Sequence, residues 1–260
     1  MTGAGKETTG VVRPDCGCLR RTFARTLSLQ GSWNTQRMQN LGLAYALLPW
    51  LRRADLSLRE ARRFCRRHYE YFNTNPYYAN LLIGGLLRLE EENRRSGGTL
   101  LQTVRVFKDS LGRALASLGD QFMWLGVQPA LLVVACLAAA AGSHWIPLAL
   151  LAAFATVQLW GRYRFLVWGY DLGLEIADRL ASPRWHQAIW TAKRAGALFT
   201  GVLAGLYVAR LDGLLHAAGE RPLLLASALA LGLSMAVRRR WPGESLLLLL
   251  LPLAVAMTYL

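Results

Sequence analysis

Apolar residues are distributed unevenly along this chain. Up to about Arg113 the apolar and polar positions alternate in short runs, whereas from Phe122 onward Leu, Ala, Val and Trp dominate. A polar first half followed by an apolar second half is typical of a chain whose first part lies outside a bilayer and whose second part crosses it. We therefore expect an all-α membrane protein, with N-terminal amphipathic, cytoplasmic helices followed by about five transmembrane helices.

The first part of the polar half changes character near residue 20. Residues 1–20 have no periodic apolar pattern, and we predict that they form a disordered N-terminal tail. A helix is predicted from Asn34 to Leu48, where Pro49 would end it because proline disfavours a helical residue before it.

The next helix has a predicted start signal and two contrasting faces. Ser57 followed three residues later by Glu60 is the pattern of a capping box. Its predicted apolar stripe consists of Leu58, Ala61, Cys65, His68 and Phe72. The remaining positions are mostly basic: Arg59, Arg62, Arg63, Arg66 and Arg67. This basic face either contacts anionic lipid headgroups or is the solvated side of a cytoplasmic helix, and the pattern favours neither.

Two further helices complete the polar half. The Asn- and Pro-rich segment 72–76 predicts a turn, followed by helices over about 78–94 and 99–116. These helices are too polar to cross a membrane alone, so their apolar faces need a partner. We accordingly divide the rest of the chain into a helical region, 21–116, and a transmembrane helical region, 117–260.

Five apolar runs are candidate membrane spans. They cover approximately 122–142, 145–160, 195–211, 223–237 and 245–260. Arginine and lysine cluster before the first run, after the second, before the third and between the fourth and fifth. Because basic loops stay on the cytoplasmic side, this spacing predicts a cytoplasmic N-terminus and an external C-terminus.

The net charge and the reactive side chains limit the functions that the sequence allows. The formal net charge of +14 suggests nucleic-acid binding, but the arginines lie beside apolar runs and no nucleic-acid motif accompanies them. Cys65 and His68 have the spacing of half a metal site, with no second half evident. The histidines stand in no recognisable arrangement of nucleophile and base. We expect no catalytic residue, no metal and no cofactor.

Three stretches carry longer motifs. They are QGSWNTQRMQNLGLAYALLP over 30–49, RHYEYFNTNPY over 67–77 with LEEE at 89–92, and LGDQFMW over 118–124. Each resembles a signature of the IID components of the mannose/fructose/sorbose family of sugar phosphotransferase systems. The resemblance is strong over about 27–92, weaker through 110–173, and beyond that only the hydropathy agrees.

The resemblance implies a non-catalytic membrane permease subunit of the bacterial inner membrane, with several spans. Such a subunit pairs with a IIC membrane subunit to translocate a hexose, and separate IIA and IIB phosphocarriers supply the phosphate. The implied partners are thus IIC, indirectly IIA and IIB, the sugar and the lipid bilayer, but no nucleic acid.

Candidate sugar-binding side chains come from the motifs. Amide, indole and carboxylate groups on turns suit a sugar site, and the chain offers Gln30, Trp33, Asn34, Asn73, Asn75 and Asp120. Each also has a structural interpretation, since asparagine and aspartate cap helices and form Asx turns. We predict that the two turns meet beside the start of the first span, near Asp120.

The third motif departs from the family pattern. Family members usually carry glycine and proline before the aspartate, where this chain has Arg113-Ala114-Leu115-Ala116-Ser117, and Gln121 replaces a later proline. Glycine and proline permit a tight re-entrant turn, so their loss favours a continuous helix through Ser117. The alternative function is therefore a non-transporting, degenerate IID-like scaffold or regulator of a phosphotransferase system.

Overall fold

The computed structural model describes residues 16–217, and this part of the chain is helical. The helices are α1 Cys16–Thr26, α2 Asn40–Leu51, α3 Leu58–His68, α4 Ala79–Arg95, α5 Leu101–Gly119, α6 Gln128–Ala140, α7 Trp145–Leu172, α8 Ile176–Leu180 and α9 Pro183–Ala217. A π-helical segment, Asp120–Val127, joins α5 to α6, and a 3₁₀ turn, Gly173–Glu175, follows α7. Within these residues extended pairing is limited to two isolated bridges. The predicted all-α fold is confirmed for this part.

The structure corrects two predictions near the N-terminus. The predicted disordered tail, 1–20, overlaps α1, which is already helical from Cys16. The helix predicted from Asn34 begins only at Asn40, because residues 34–39 form a tight turn instead. Asn34 and Met38 exchange both backbone hydrogen bonds, with Met38 at a left-handed φ of 56°.

The helix α2 also continues past the proline that was predicted to end it. Pro49 has no N–H, so the carbonyl of Tyr45 one turn earlier loses its helical donor. The guanidinium of Arg25 donates to that carbonyl oxygen at 3.3 Å and lies 4.7 Å from the centre of the Tyr45 ring. This contact from α1 lets α2 reach Leu51.

The capping box predicted for α3 is confirmed. The Ser57 hydroxyl oxygen accepts from the Glu60 backbone N–H, and the Glu60 carboxylate accepts from the Ser57 N–H at 2.9 Å. The predicted apolar stripe is wrong at its first position, because Leu58 is 69% exposed. The buried residues of α3 are Phe64, Arg67 and His68.

The helix α4 lies at the centre of the fold and packs along α7. A Cβ added to Gly84 would collide with the Leu166 carbonyl oxygen, and one added to Gly169 would collide with the Leu81 carbonyl oxygen. Small residues of this kind let two helix backbones approach closely. Beside them the Asn80 side chain donates to the Arg162 carbonyl oxygen at 3.0 Å.

The predicted continuous helix through Ser117 is confirmed. The helix α5 runs to Gly119 and passes without interruption into the π-helical segment and α6. Ala114, Leu115 and Ala116 are strong helix formers, so nothing in this stretch favours a break. The run Leu101–Ala139 is the one helical run among the described residues that is long and apolar enough to cross a membrane.

The structure describes only two of the other four predicted spans. The candidate 145–160 lies within α7, and the candidate 195–211 lies within α9. The candidates 223–237 and 245–260 fall outside the described residues, so the count of five spans stays a prediction. The chain divides into two compact units between Leu198 and Phe199, whereas α5 runs straight across the boundary proposed at 116/117.

Candidate functional site

The turns of the first two motifs are joined by a reciprocal pair of hydrogen bonds. The Gln39 side-chain amide donates to the Thr74 carbonyl oxygen at 2.9 Å and accepts from the Thr74 N–H at 3.1 Å. The Gln39 N–H also donates to the Phe72 carbonyl oxygen at 2.8 Å. Gln39 and Thr74 are 2% and 3% exposed, so these bonds satisfy polar groups that water does not reach. We call this joined unit, residues 34–40 with 69–77, the paired turns.

Asparagines extend the paired turns on one side. The Asn34 amide donates to the Asn40 side-chain oxygen at 3.1 Å, and the Asn40 amide donates to the Tyr69 carbonyl oxygen at 2.8 Å. The Asn34 side-chain oxygen accepts from the Arg37 N–H at 2.8 Å. Asn34 therefore caps a local turn, while the helix α2 starts six residues later.

A single side chain connects the paired turns to the start of the apolar run. The buried Asn75 amide donates to an Asp120 carboxylate oxygen at 2.8 Å, and Asp120 is the first residue of the π-helical segment. The Asn75 oxygen accepts from the Tyr77 N–H at 3.0 Å, which is the Asx turn expected before Pro76. The prediction that the two turns meet near Asp120 is confirmed.

The six candidate residues do not all join this contact. Asn75 and Asp120 are bonded directly, and Asn34 is linked to the same unit through Asn40. Gln30, Trp33 and Asn73 are exposed, and Trp33 is 52% exposed. Their role as sugar contacts stays a prediction.

Tyr77, in the second of the paired turns, contacts aromatic and amide groups that sequence reasoning did not select. Tyr77 lies edge-on to Trp124 and Phe154, with ring centres 5.7 Å and 6.3 Å apart. The Gln128 amide donates to the Tyr77 hydroxyl oxygen at 2.8 Å. Trp124 is 43% exposed. Tyr77 thus links the paired turns to the π-helical segment, α6 and α7.

A buried ion cluster lies behind the paired turns. Arg67 donates through Nε to Glu90 at 2.6 Å and through Nη2 to the other carboxylate oxygen, and His68 Nε2 is 2.7 Å from Glu90. Lys108 donates to the Arg67 carbonyl oxygen at 2.7 Å and pairs with Glu70 at 3.2 Å. His68 and Glu90 are each 1% exposed.

Burial and charge fix the protonation of this cluster. Burial lowers the pKa of His68 and outweighs the neighbouring Glu90 carboxylate. Burial alone would raise the pKa of Glu90, but the hydrogen bonds from His68 and Arg67 outweigh it and lower that pKa. The consistent state is a neutral His68 that donates its Nε2 proton to an ionised Glu90. The His68 Nδ1 is buried without a hydrogen-bond partner in the described part of the protein, which further disfavours a second ring proton.

Sequence reasoning left this cluster out although all three residues lie in its motifs. His68 was assigned to an apolar stripe, and Arg67 to a basic face. The available signal was that Arg67, His68 and Glu90 all belong to the second motif, at 67–77 and 89–92. Their partnership crosses 22 and 23 residues of sequence and only becomes visible once α3 packs against α4.

An apolar groove of the described residues lies elsewhere. It has a volume of about 680 Å³ between α5 and the segment from Leu174 to His186, and it includes Phe107, Leu111 and Leu180. None of the six candidate residues lines it. The described residues contain no group of three His, Cys, Asp or Glu side chains placed to hold a metal ion.

The described residues form an all-helical fold with one helical run of membrane-spanning length, and comparison with known proteins assigns the family. The model of the PTS system mannose/fructose/sorbose family IID component matches residues 17–216. The chain belongs to this family, as the motifs at 30–49 and 67–77 predicted.

Curated relatives agree with this assignment. The chain is 35% identical over 159 residues to the mannose-specific EIID component of Escherichia coli K12, and this match covers 61% of the chain and 56% of the relative. It is 28% identical over 181 residues to the fructose permease IID component of Bacillus subtilis, covering 70% of the chain and 66% of the relative. The chain thus matches little more than half of the first relative's length.

Two solved structures share the fold. One, described only as a membrane protein, has a TM-score of 0.74 at 25% identity and covers 93% of this chain and 95% of its own. The other, the mannose transporter ManYZ in complex with microcin E492, has a TM-score of 0.59 at 24% identity and covers 94% of this chain and 96% of its own.

Proposed function

We propose that this chain is the IID permease subunit of a mannose/fructose/sorbose-type phosphotransferase system in a bacterial inner membrane. It pairs with a IIC subunit to translocate a hexose, while IIA and IIB phosphocarriers phosphorylate the sugar. The chain itself has no catalytic role in this scheme. Its contribution is to bind and position the sugar and to complete the sugar pathway.

The observation that carries the proposal is the Asn75–Asp120 hydrogen bond. It ties the paired turns of the family motifs, through the buried Asn75, to the first residue of the π-helical segment in the run Leu101–Ala139. The buried Asn75 amide finds its acceptor in the Asp120 carboxylate, which is itself exposed, and the pair keeps polar groups beside the apolar segment that follows. Gln30, Trp33 and Asn73 are exposed and offer hydrogen bonds and an indole face to a sugar or to the IIC surface.

The function is tested by sugar uptake in a host that lacks its own system. We expect uptake of a hexose when this chain is expressed with its cognate IIC, IIA and IIB proteins, and none when this chain is omitted. The IIC subunit should also co-purify with it. Normal uptake without this chain, or failure of any IIC-type protein to associate in the native host, would contradict the proposal.

The same assay can isolate the Asn75–Asp120 contact. Asn75→Asp places a second carboxylate beside Asp120 and removes the amide donor, so we expect strongly reduced uptake at near-normal membrane abundance. Gln36→Glu introduces the same charge at an exposed position of the paired turns that is not a candidate sugar contact, and it serves as the matched control. Equal loss of uptake in both variants would remove the special role of Asn75.

The alternative function is a non-transporting scaffold or regulator. The continuous helix through Ala114–Ser117 favours it, because no break is present where a re-entrant turn would require one. Uptake that depends on this chain excludes the pure scaffold. Association with IIC without chain-dependent uptake would instead support it.

We also propose a cytoplasmic N-terminus and a multi-pass topology, on the basis of the loop charges. A cysteine in the loop 238–240 should be protected from an impermeant reagent added outside intact cells. A cysteine added after Leu260 should react with it. Labelling of the 238–240 loop from outside would overturn the five-span topology.

A further inference from the structure

The exposed face of α3 has a specific composition. Leu58, Arg59, Arg62, Arg66 and Tyr69 fall within about 100° of the helix circumference at 100° per residue. All five are exposed, with Leu58 and Tyr69 at 69% and 41%. Three guanidinium groups thus lie between one apolar side chain at the start of the helix and one aromatic side chain at its end. We call these five residues the α3 face.

The arginines of the α3 face lack acidic partners in the part of the chain that the structure describes. The one carboxylate of α3, Glu60, bonds to Ser57 in the capping box. Arg67, on the opposite side of the helix, already holds Glu90. Arginines at positions 62 and 66 are one turn apart, a spacing at which like charges repel and destabilise a helix. An external anion would relieve this repulsion.

The exposed Leu58 and Tyr69 indicate which kind of anion the α3 face binds. A fully solvated helix face does not bury a large apolar side chain at its start. An interfacial helix does, because leucine and aromatic side chains enter the acyl boundary while guanidinium groups bind phosphate above it. We infer that the α3 face binds the headgroups of anionic phospholipids and holds α3 against the bilayer surface.

An acidic protein surface is the competing occupant. The structure favours lipid because the charges of the α3 face are exposed and its apolar residues stand at both ends. Bilayer phosphates are abundant around any membrane protein and need no shape complementarity. Guanidinium groups also bind phosphate oxygens through two parallel hydrogen bonds.

The test uses the full-length chain in lipid nanodiscs. Leu58→Cys labelled with bimane, which is itself apolar, provides a reporter on the α3 face after the four native cysteines are replaced. Quenching is compared between tracer phosphatidylglycerol and tracer phosphatidylcholine, each with a spin label at its headgroup. The ratio measures the local preference for anionic lipid.

We expect a clear preference for phosphatidylglycerol that falls by about fivefold for each arginine removed at low ionic strength. Arg59→Gln, Arg62→Gln and Arg66→Gln together should abolish it, and 0.5 M salt should weaken it. The matched control removes three exposed arginines elsewhere, Arg20, Arg21 and Arg184, and should retain the preference.

Several outcomes would overturn the inference. Equal quenching by both lipids, an unchanged preference in the triple variant, or an equal loss in the control would each show that the α3 face does not select anionic lipid. Shielding of the reporter only after the IIC subunit is added would assign the face to a protein contact instead. If the triple variant does not fold, Arg62→Gln alone should give the fivefold change.

Discussion

Replacing Gly84 with alanine is expected to destabilise the protein by about 3 kcal/mol, at the upper end of the cost of overpacking. The added Cβ would meet the Leu166 carbonyl oxygen, which is backbone of α7 and cannot rotate aside as a side chain can. The helices α4 and α7 would have to separate, which loosens the central contact of the fold. The measurement is thermal unfolding in detergent, together with membrane abundance.

Gly161 provides the matched control on α7. A Cβ at this position would meet nothing within 4 Å. Gly161→Ala should therefore be neutral, or stabilising by up to about 1 kcal/mol through helix propensity. Gly169→Ala, which meets the Leu81 carbonyl oxygen, should behave like Gly84→Ala. Similar stability for Gly84→Ala and Gly161→Ala would refute the close approach of the two helices.

Replacing Glu90 with glutamine is expected to cost about 3–5 kcal/mol, because it leaves the charge of Arg67 buried without its carboxylate. Both side chains are nearly inaccessible, at 8% and 1% exposure. Glu92→Gln is the matched control, since Glu92 pairs with Arg88 on the same helix but is 41% exposed. That change should cost less than about 1 kcal/mol. Equal losses would mean that the buried cluster contributes no more than a surface ion pair.

The same cluster predicts a direction for the pH dependence of stability. The folded pKa of His68 lies below its ordinary 6.5, so the unfolded chain binds a proton first as the pH falls. The contribution of His68 to the free energy of unfolding is complete above pH 6.5. It is lost as the pH falls from there toward the pKa of His68 in the folded protein. Glu90, with a pKa below its ordinary 4.5, adds a loss in the same direction at lower pH. Unfolding measured from pH 7.5 downward should show falling stability, and His68→Gln should remove the first part of the decline.

Local signals in the sequence predicted local structure well. The capping box of α3 needs only Ser57 and Glu60, and the continuity of α5 follows from helix-forming residues at 114–117. The meeting of the two turns was predicted because both were rich in amides that no helix required. Asn75 and Asp120 satisfy each other there.

The predictions that failed depended on distant partners. The helix α2 starts late because residues 34–39 bond with each other and with Phe72, and it passes Pro49 because Arg25 reaches Tyr45 from another helix. Neither contact leaves a periodic pattern. Arg67 and His68 resembled members of a basic face and an apolar stripe, since the carboxylate that buries them comes from α4.

The π-helical segment Asp120–Val127 also changes how the apolar run must be interpreted. In a π-helix each hydrogen bond reaches the fifth residue rather than the fourth. All later side chains therefore point in directions different from those of an uninterrupted α-helix. A single helical wheel drawn from Leu101 to Ala140 therefore aligns positions of α5 with the wrong positions of α6. Two wheels with separate origins are needed to decide which side chains of this run share a direction. Inserting or deleting one residue within 120–127 would rotate α6 relative to α5 by about 100°.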